Sequence, residues 1–234
     1  MTSTLKVFKD GIALIKETKW NELFKNKKWD YRQIIWPFRV LFHPVVGFQE
    51  IKYEKKGSPL LAVAIFALVF ISSIFTDLEG GFLFNYSRPE NFNIWMVFMR
   101  SIMPLVLWCI ANWSICTLMD GEGTFREIWV CTAYSFMPLV IKLIPFTIIS
   151  KFLTLEEGAF LSIADTVAWT WVFILLIVSN MIIHQYTMKK NIFSLILTVF
   201  GIIVIMFLLV LLFSLFQQLF TFITTISNEL IIRM

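Results

Sequence analysis

The chain has 234 residues, of which 58% are hydrophobic and only 15% charged, with a mean hydropathy of +0.77. Soluble domains carry about 25% charged residues, so this chain has too few charges to cover a globule in water. The same composition excludes a disordered chain, a collagen-like repeat and a disulfide scaffold, and leaves an all-α, polytopic membrane protein.

Residues 1–58 hold twelve of the twenty Lys and Arg residues. Leu5, Phe8, Ile12 and Ile15 recur at three- and four-residue spacing, with Lys6, Lys9, Lys16 and Glu17 on the other face, which predicts an amphipathic helix. A second short helix is expected around Trp20, Leu23 and Phe24. Aromatic and basic residues then interleave through Trp29, Tyr31, Arg32, Trp36, Phe38 and Arg39. Such a segment suits the headgroup layer, or a small cytosolic module that docks a partner, and both readings stand. Leu5, Phe8, Ile12, Ile15, Trp20 and Trp36 are its candidate docking residues. No apolar run before Pro59 is long enough for a signal peptide, so insertion is expected to use the later spans. The segment has no recognisable nucleic-acid module, and its charge is read as attraction to anionic lipid.

A helix needs about 20 apolar residues to cross the hydrocarbon core. Five segments qualify, at about 59–76, 94–119, 128–149, 164–186 and 192–216. Pro104, Pro138 and Pro145 are expected to kink the second and third. The fifth lies in a run without charge from Asn191 to Asn228, too long for one crossing and without a turn signal for two. Gln217 and Gln218 suggest that the span ends near Phe216 and that residues 217–234 form an outer, amphipathic, interfacial tail.

Five crossings put the termini on opposite sides. With the N-terminus inside, the inner segments hold fifteen basic residues, including Arg126, Lys189 and Lys190, and the outer segments hold three: Arg88, Lys151 and Arg233. The positive-inside rule therefore predicts N-in, C-out. Trp95, Trp169 and Trp171 then fall near outer span ends, and Trp113 and Trp129 near inner ones.

The second inner loop reads Asp120-Gly-Glu-Gly-Thr-Phe-Arg-Glu127. Its glycines would permit a tight reversal, and Thr124 with Glu127 has the spacing of a capping box. Cys109, Cys116 and Cys131 all lie in apolar runs and read as small core fillers. Ionisable groups inside spans are costly and default to functional hypotheses. Arg100, Lys142 and Asp165 all fall in the outer third, where Asp165 could sit between the two cations and lock the second, third and fourth spans together. Separate snorkelling to the headgroups is the simpler reading.

No zinc, phosphate-loop or nucleophile-elbow motif occurs, so no catalytic, cofactor or metal residues are expected. His43 reads as interfacial, and His184 as a structural residue at the inner end of the fourth span.

The run from Asp120 to Pro138 resembles the central signature of the Yip family, named for its Ypt/Rab-interacting eukaryotic members. Gly123, Thr124 and Phe125 are similar to the family's glycine-small-phenylalanine loop, and Ala133, Tyr134 and Pro138 to its alanine-tyrosine-x-x-x-proline helix. The approach to the first span, His43–Phe48, is similar to the family's proline-x-x-x-phenylalanine pattern, and the run Asn180–Lys190 before the last span and the C-terminal tail resemble bacterial members, so the likeness covers about 42–233. It implies five spans with a cytosolic N-terminus. Bacterial members are similar to proteins often encoded near carbohydrate ABC importers, which implies a bacterial plasma-membrane protein and ABC transporter components as partners. The expectation is a non-enzymatic accessory or scaffold subunit. The alternatives are a small transporter or channel using the outer charges, or a membrane-organisation or trafficking factor like the eukaryotic relatives.

Overall fold

The computed structural model describes residues 35–79, 92–154 and 156–233. Contacts divide the chain into residues 1–35 and 36–234, and the membrane-spanning helices all belong to the second unit. Leu5, Phe8, Ile12, Ile15 and Trp20 lie outside the described residues.

The described residues are almost entirely helical. Two short helices, α1 (Ile35–Phe42) and α2 (Pro44–Tyr53), precede α3 (Pro59–Glu79). Then come α4 (Ile94–Ser101), α5 (Met103–Leu118), α6 (Phe125–Ser135), α7 (Met137–Ile149), α8 (Gly158–His184) and α9 (Met188–Arg233). Five stretches are long and apolar enough to cross a membrane: 59–79, 94–118, 125–149, 158–184 and 188–226. Successive spans alternate in direction. One end of the bundle, the loop face, carries the start of α3, the loop at 119–124 and the turn at 185–187.

Proline shapes the second and third spans. Pro104 and Pro138 sit in the first turn of α5 and α7, and each follows an interruption of the helix at the residue two before it, Ile102 and Phe136. A proline in a continuous helix removes one hydrogen bond and presses its ring on the carbonyl four residues back. Pro145 lies inside α7 without interrupting it.

The third span is central. Ile128 and every residue from Val130 to Ser135 are buried, and α6 packs on α2, α3, α5 and α8. The buried face of α8 reads Ala168, Val172, Leu175, Leu176, Ser179, Asn180 and Ile183, the three-and-four spacing of one helical stripe. Large apolar side chains on the outer faces, such as Val63, Ile71, Phe173 and Phe200, stay uncovered. That is the pattern of a bundle whose solvent is lipid.

Two boundaries differ from expectation. The fourth span starts at Gly158, so Trp169 and Trp171 sit near its middle and not at its end. The helix runs through Asp165 without interruption, and that carboxylate is paired. α9 continues through Gln217 to Arg233 without a break, 46 residues or about 69 Å of helix. Two glutamines do not stop a helix, because glutamine has good helix propensity.

Residues 36–53 are part of the bundle. α1 folds back on α2 as a helical hairpin: Arg39 pairs with Glu50 at 2.9 Å, and Lys56 lies 4.6 Å from the Trp36 ring centre. The helices touch at Gly47, where a Cβ would stand 2.7 Å from Val40 Cγ2 and 2.9 Å from its Cα. Only glycine fits there. Val40, Phe48 and Ile51 are buried in the same core as the spans. The hairpin lies along α8, with Lys52 Nζ donating to Ile183 O at its base and Trp171 Nε1 donating to Leu41 O (3.2 Å) near its tip. Residues 171 and 183 of a helix are about 18 Å apart, so the hairpin reaches about half the ~30 Å depth of a hydrocarbon core. Its base is charged, and its tip exposes Phe42, Val45 and Val46.

Candidate functional site

The loop at 119–124 ends α5 and starts α6. Asp120 takes the left-handed conformation (φ 56°), and Gly121 N–H donates to Cys116 O at 2.7 Å, closing α5 with a Schellman-type turn. Thr124 and Glu127 form the expected capping box: Glu127 N–H donates to Thr124 Oγ1 (3.4 Å), and Thr124 N–H to Glu127 Oε2 (3.0 Å).

The glycines serve a different purpose from the one their sequence suggests. No glycine among the described residues has positive φ, so aspartate makes the reversal. Gly121 and Gly123 are small because the loop is pressed against the end of α8. A Cβ on Gly121 would lie 2.5 Å from both His184 Nδ1 and the Tyr186 hydroxyl, and one on Gly123 would lie 2.5 Å from Ile183 Cγ2.

That close approach opens a directed chain of hydrogen bonds. Gly123 N–H donates to His184 Nδ1 at 3.3 Å. With Nδ1 accepting, the ring's proton is on Nε2, which donates to Asn112 Oδ1 at 3.3 Å. Asn112 Nδ2 donates to Asn180 Oδ1 (2.8 Å). Asn180 Nδ2 donates to Asn191 Oδ1 (2.7 Å) and Ser194 Oγ (2.9 Å). Asn191 Nδ2 ends the chain on Ile177 O (3.0 Å). The network ties the loop, α5, α8 and α9 together. Tyr186 stacks on His184 with ring centres 5.3 Å apart and donates to Cys116 O at 3.1 Å. Burial raises the phenol's pKa above its ordinary value, which keeps that proton in place.

Polar side chains inside an apolar bundle are stable only when paired, and these are paired throughout. The arrangement is therefore a clamp that fixes the loop. Among the described residues no three His, Cys, Asp or Glu side chains come together as metal ligands. Asn112, Asn180, Asn191 and Ser194 are missed when spans are searched for ionisable groups alone. Asparagines within apolar runs are the signal that could have found them.

The family-motif residues fall on this loop, on α6 after it and, for Pro138, on the first turn of α7. Phe125 lies between Trp113 and Trp129, with ring centres 6.0 and 6.2 Å away. Ala133 and Tyr134 are completely buried, and the Tyr134 hydroxyl accepts from Ser58 N–H at 3.4 Å, joining the motif helix to the start of the first span. A family model, the Yip1 domain, matches residues 38–212.

The chain belongs to the Yip1 domain family.

No curated protein and no solved structure matches it. The Yip1 domain takes in nearly all of the α1–α2 hairpin and ends at Leu212, inside α9. The hairpin thus belongs to the family domain and is not an appendage before it. Trp36, just outside the match, is partly buried beneath Arg39 and Lys56.

At the opposite face of this Yip1-domain protein the intramembrane charges form separate pairs. Lys142 Nζ meets Asp165 Oδ1, joining α7 to α8. Arg100 does not join them. Its Nη2 donates to both oxygens of Asp77, at 2.9 and 2.8 Å, joining α4 to α3. Lys151 pairs with Glu79, joining the end of α7 to α3. The expected cluster of Arg100, Lys142 and Asp165 is corrected for a simple reason. α4 packs beside α3, which offers Arg100 its own carboxylate, whereas Lys142 lies on α7, against α8.

Proposed function

We propose that this Yip1-family membrane protein is a non-enzymatic scaffold subunit that packs against a multi-subunit membrane transporter. The observation that carries the reading is α9. Every residue from Met206 to Ile223 is exposed, and all but a few are apolar. α9 packs on α5 and starts at the loop face, as does α3, whose 21 residues span about 31 Å. α9 therefore continues far past the other end of α3. An apolar helix uncovered on all sides beyond the hydrocarbon needs protein to cover it, and helices of a partner subunit supply such a surface.

The resemblance to bacterial proteins encoded near carbohydrate ABC importers supports that class of partner. The excess of Lys and Arg in residues 1–58 and at Arg126, Lys189 and Lys190 supports a cytoplasmic loop face in a bacterial plasma membrane. The channel alternative relied on a shared charge cluster, and the separate ion pairs remove its main support.

Mild-detergent co-purification from the native membrane, read by mass spectrometry, tests the proposal. Stoichiometric permease and ATPase subunits are expected, lost when the chain is truncated after Leu212. Recovery of the protein alone, or only with itself, refutes the reading.

A further inference from the structure

At the loop face, where the hairpin base meets the motif helix, lies a cavity of about 300 Å³. Ile51 and Val130 form an apolar floor, and Lys55 and Arg126 stand among its walls with Thr124 and Glu127. Its volume lies at the small end of ligand pockets, enough for a headgroup and not for a whole lipid.

Three observations bear on what it takes. The first is charge. Arg39, Lys52 and Lys56 nearby each pair with a carboxylate: Glu50, Glu122 and Glu54. Lys55 and Arg126 have no ion pair among the described residues, and Arg126 donates to Gly57 O at 3.4 Å. The single carboxylate in the lining, Glu127, already accepts from Thr124 N–H through Oε2. The second is depth. The pocket lies between the first residues of two spans, Pro59 and Phe125, which is the headgroup level of a bilayer. The third is polarity along its axis. Cations are at the level of the loops, and Val130 lies a further turn into the span, so the site is amphipathic along the membrane normal. Lys55 itself is held in the left-handed region (φ 52°), a conformation uncommon for a residue other than glycine, where α2 turns toward the pocket.

We propose that this pocket binds one anionic phospholipid, with its phosphate between Lys55 and Arg126 and its glycerol end against Ile51 and Val130. The hairpin and the motif helix each supply one cation and one floor residue, so the lipid would bridge the two. This inference is independent of any partner subunit.

The test is native mass spectrometry of the full chain in neutral detergent, stripped of lipid and offered phosphatidylglycerol and phosphatidylcholine of equal chain length. One phosphatidylglycerol per chain is expected, preferred at least fivefold. Lys55→Gln and Arg126→Gln should each weaken its binding about fivefold, the effect of one cation near an anionic headgroup. Arg126→Lys should retain most of it, and Lys189→Gln, an exposed loop-face charge outside the pocket, should change nothing. Lys55 and Arg126 are both exposed, so melting temperatures of their variants should match that of the parent. Equal retention of the two lipids overturns the proposal, as does an equal loss in Lys189→Gln. Displacement of phosphatidylglycerol by millimolar inorganic phosphate also overturns it, because the site would then be one for free phosphate.

Discussion

Replacing Gly121 by alanine tests the claim that the loop glycines exist for close approach. The new Cβ would lie 2.5 Å from His184 Nδ1 and the Tyr186 hydroxyl, and 2.8 Å from Cys116 O. The carbonyl is backbone at the end of α5, held by Gly121 N–H, so the two rings must yield. Their movement breaks the Gly123-to-His184 and Tyr186-to-Cys116 hydrogen bonds. Overpacking costs about 1–3 kcal/mol. A buried group left without its partner costs a further ~1–3 kcal/mol. At about 2–4 °C per kcal/mol for a chain of this size, the melting temperature should fall by about 5–20 °C. Gly123→Ala should behave alike. Gly201→Ala supplies the control, since its Cβ would stand 3.2 Å from Ile115 Cγ1 and 3.7 Å from Ala111 Cβ, a much milder approach, inside a helix where alanine gains about 1 kcal/mol over glycine. Thermal melts of the three variants in one neutral detergent decide the matter. A Gly121→Ala protein that melts within about 2 °C of the parent, or below which Gly201→Ala falls, would refute the reasoning.

Asn180→Leu removes three amide or hydroxyl hydrogen bonds and a weak one from the Cys116 thiol, and leaves Asn112 and Asn191 short of partners, so it should destabilise by about 2–4 kcal/mol in a detergent melt. Adding Asn112→Leu should cost less than the two single changes summed, and strict additivity would argue against a connected network. Lys142→Asp and Asp165→Lys should each lower the melting temperature, and the double swap should recover at least half the loss; no recovery would end the pairing. Arg100→Gln should add to Asp165→Asn within about 0.5 kcal/mol, because Arg100 belongs to Asp77, and a larger coupling would restore a three-member cluster. In a background lacking the three native cysteines, an impermeant maleimide applied to intact cells should label Lys151→Cys and spare Lys189→Cys; the opposite result reverses the proposed topology.

The spans were legible because each is a long apolar run, and the hydrophobic effect acts on composition before any contact forms. The capping box was legible because its partners are three residues apart. The hairpin was less so. Leu41, Phe42, Val45 and Val46 read equally well as a headgroup segment, and what α2 packs on most is α8, more than a hundred residues later. The charge pairs were half legible. Depth puts Lys142 beside Asp165, but nothing local sets Asp77 beside Arg100, because that pair depends on which helices are neighbours.

Composition and hydropathy suffice for an all-helical membrane protein with five helices fit to cross, because hydrocarbon requires each backbone segment to satisfy its own hydrogen bonds over about 20 residues. The packed bundle is needed to see why Gly121 and Gly123 are glycine, which carboxylate each cation takes, and that Asn112, Asn180 and Asn191 form one directed chain. Those outcomes depend on which helices are neighbours and at what rotation. Helix packing sets both through contacts between residues far apart in the chain, and periodicity within a segment does not encode them.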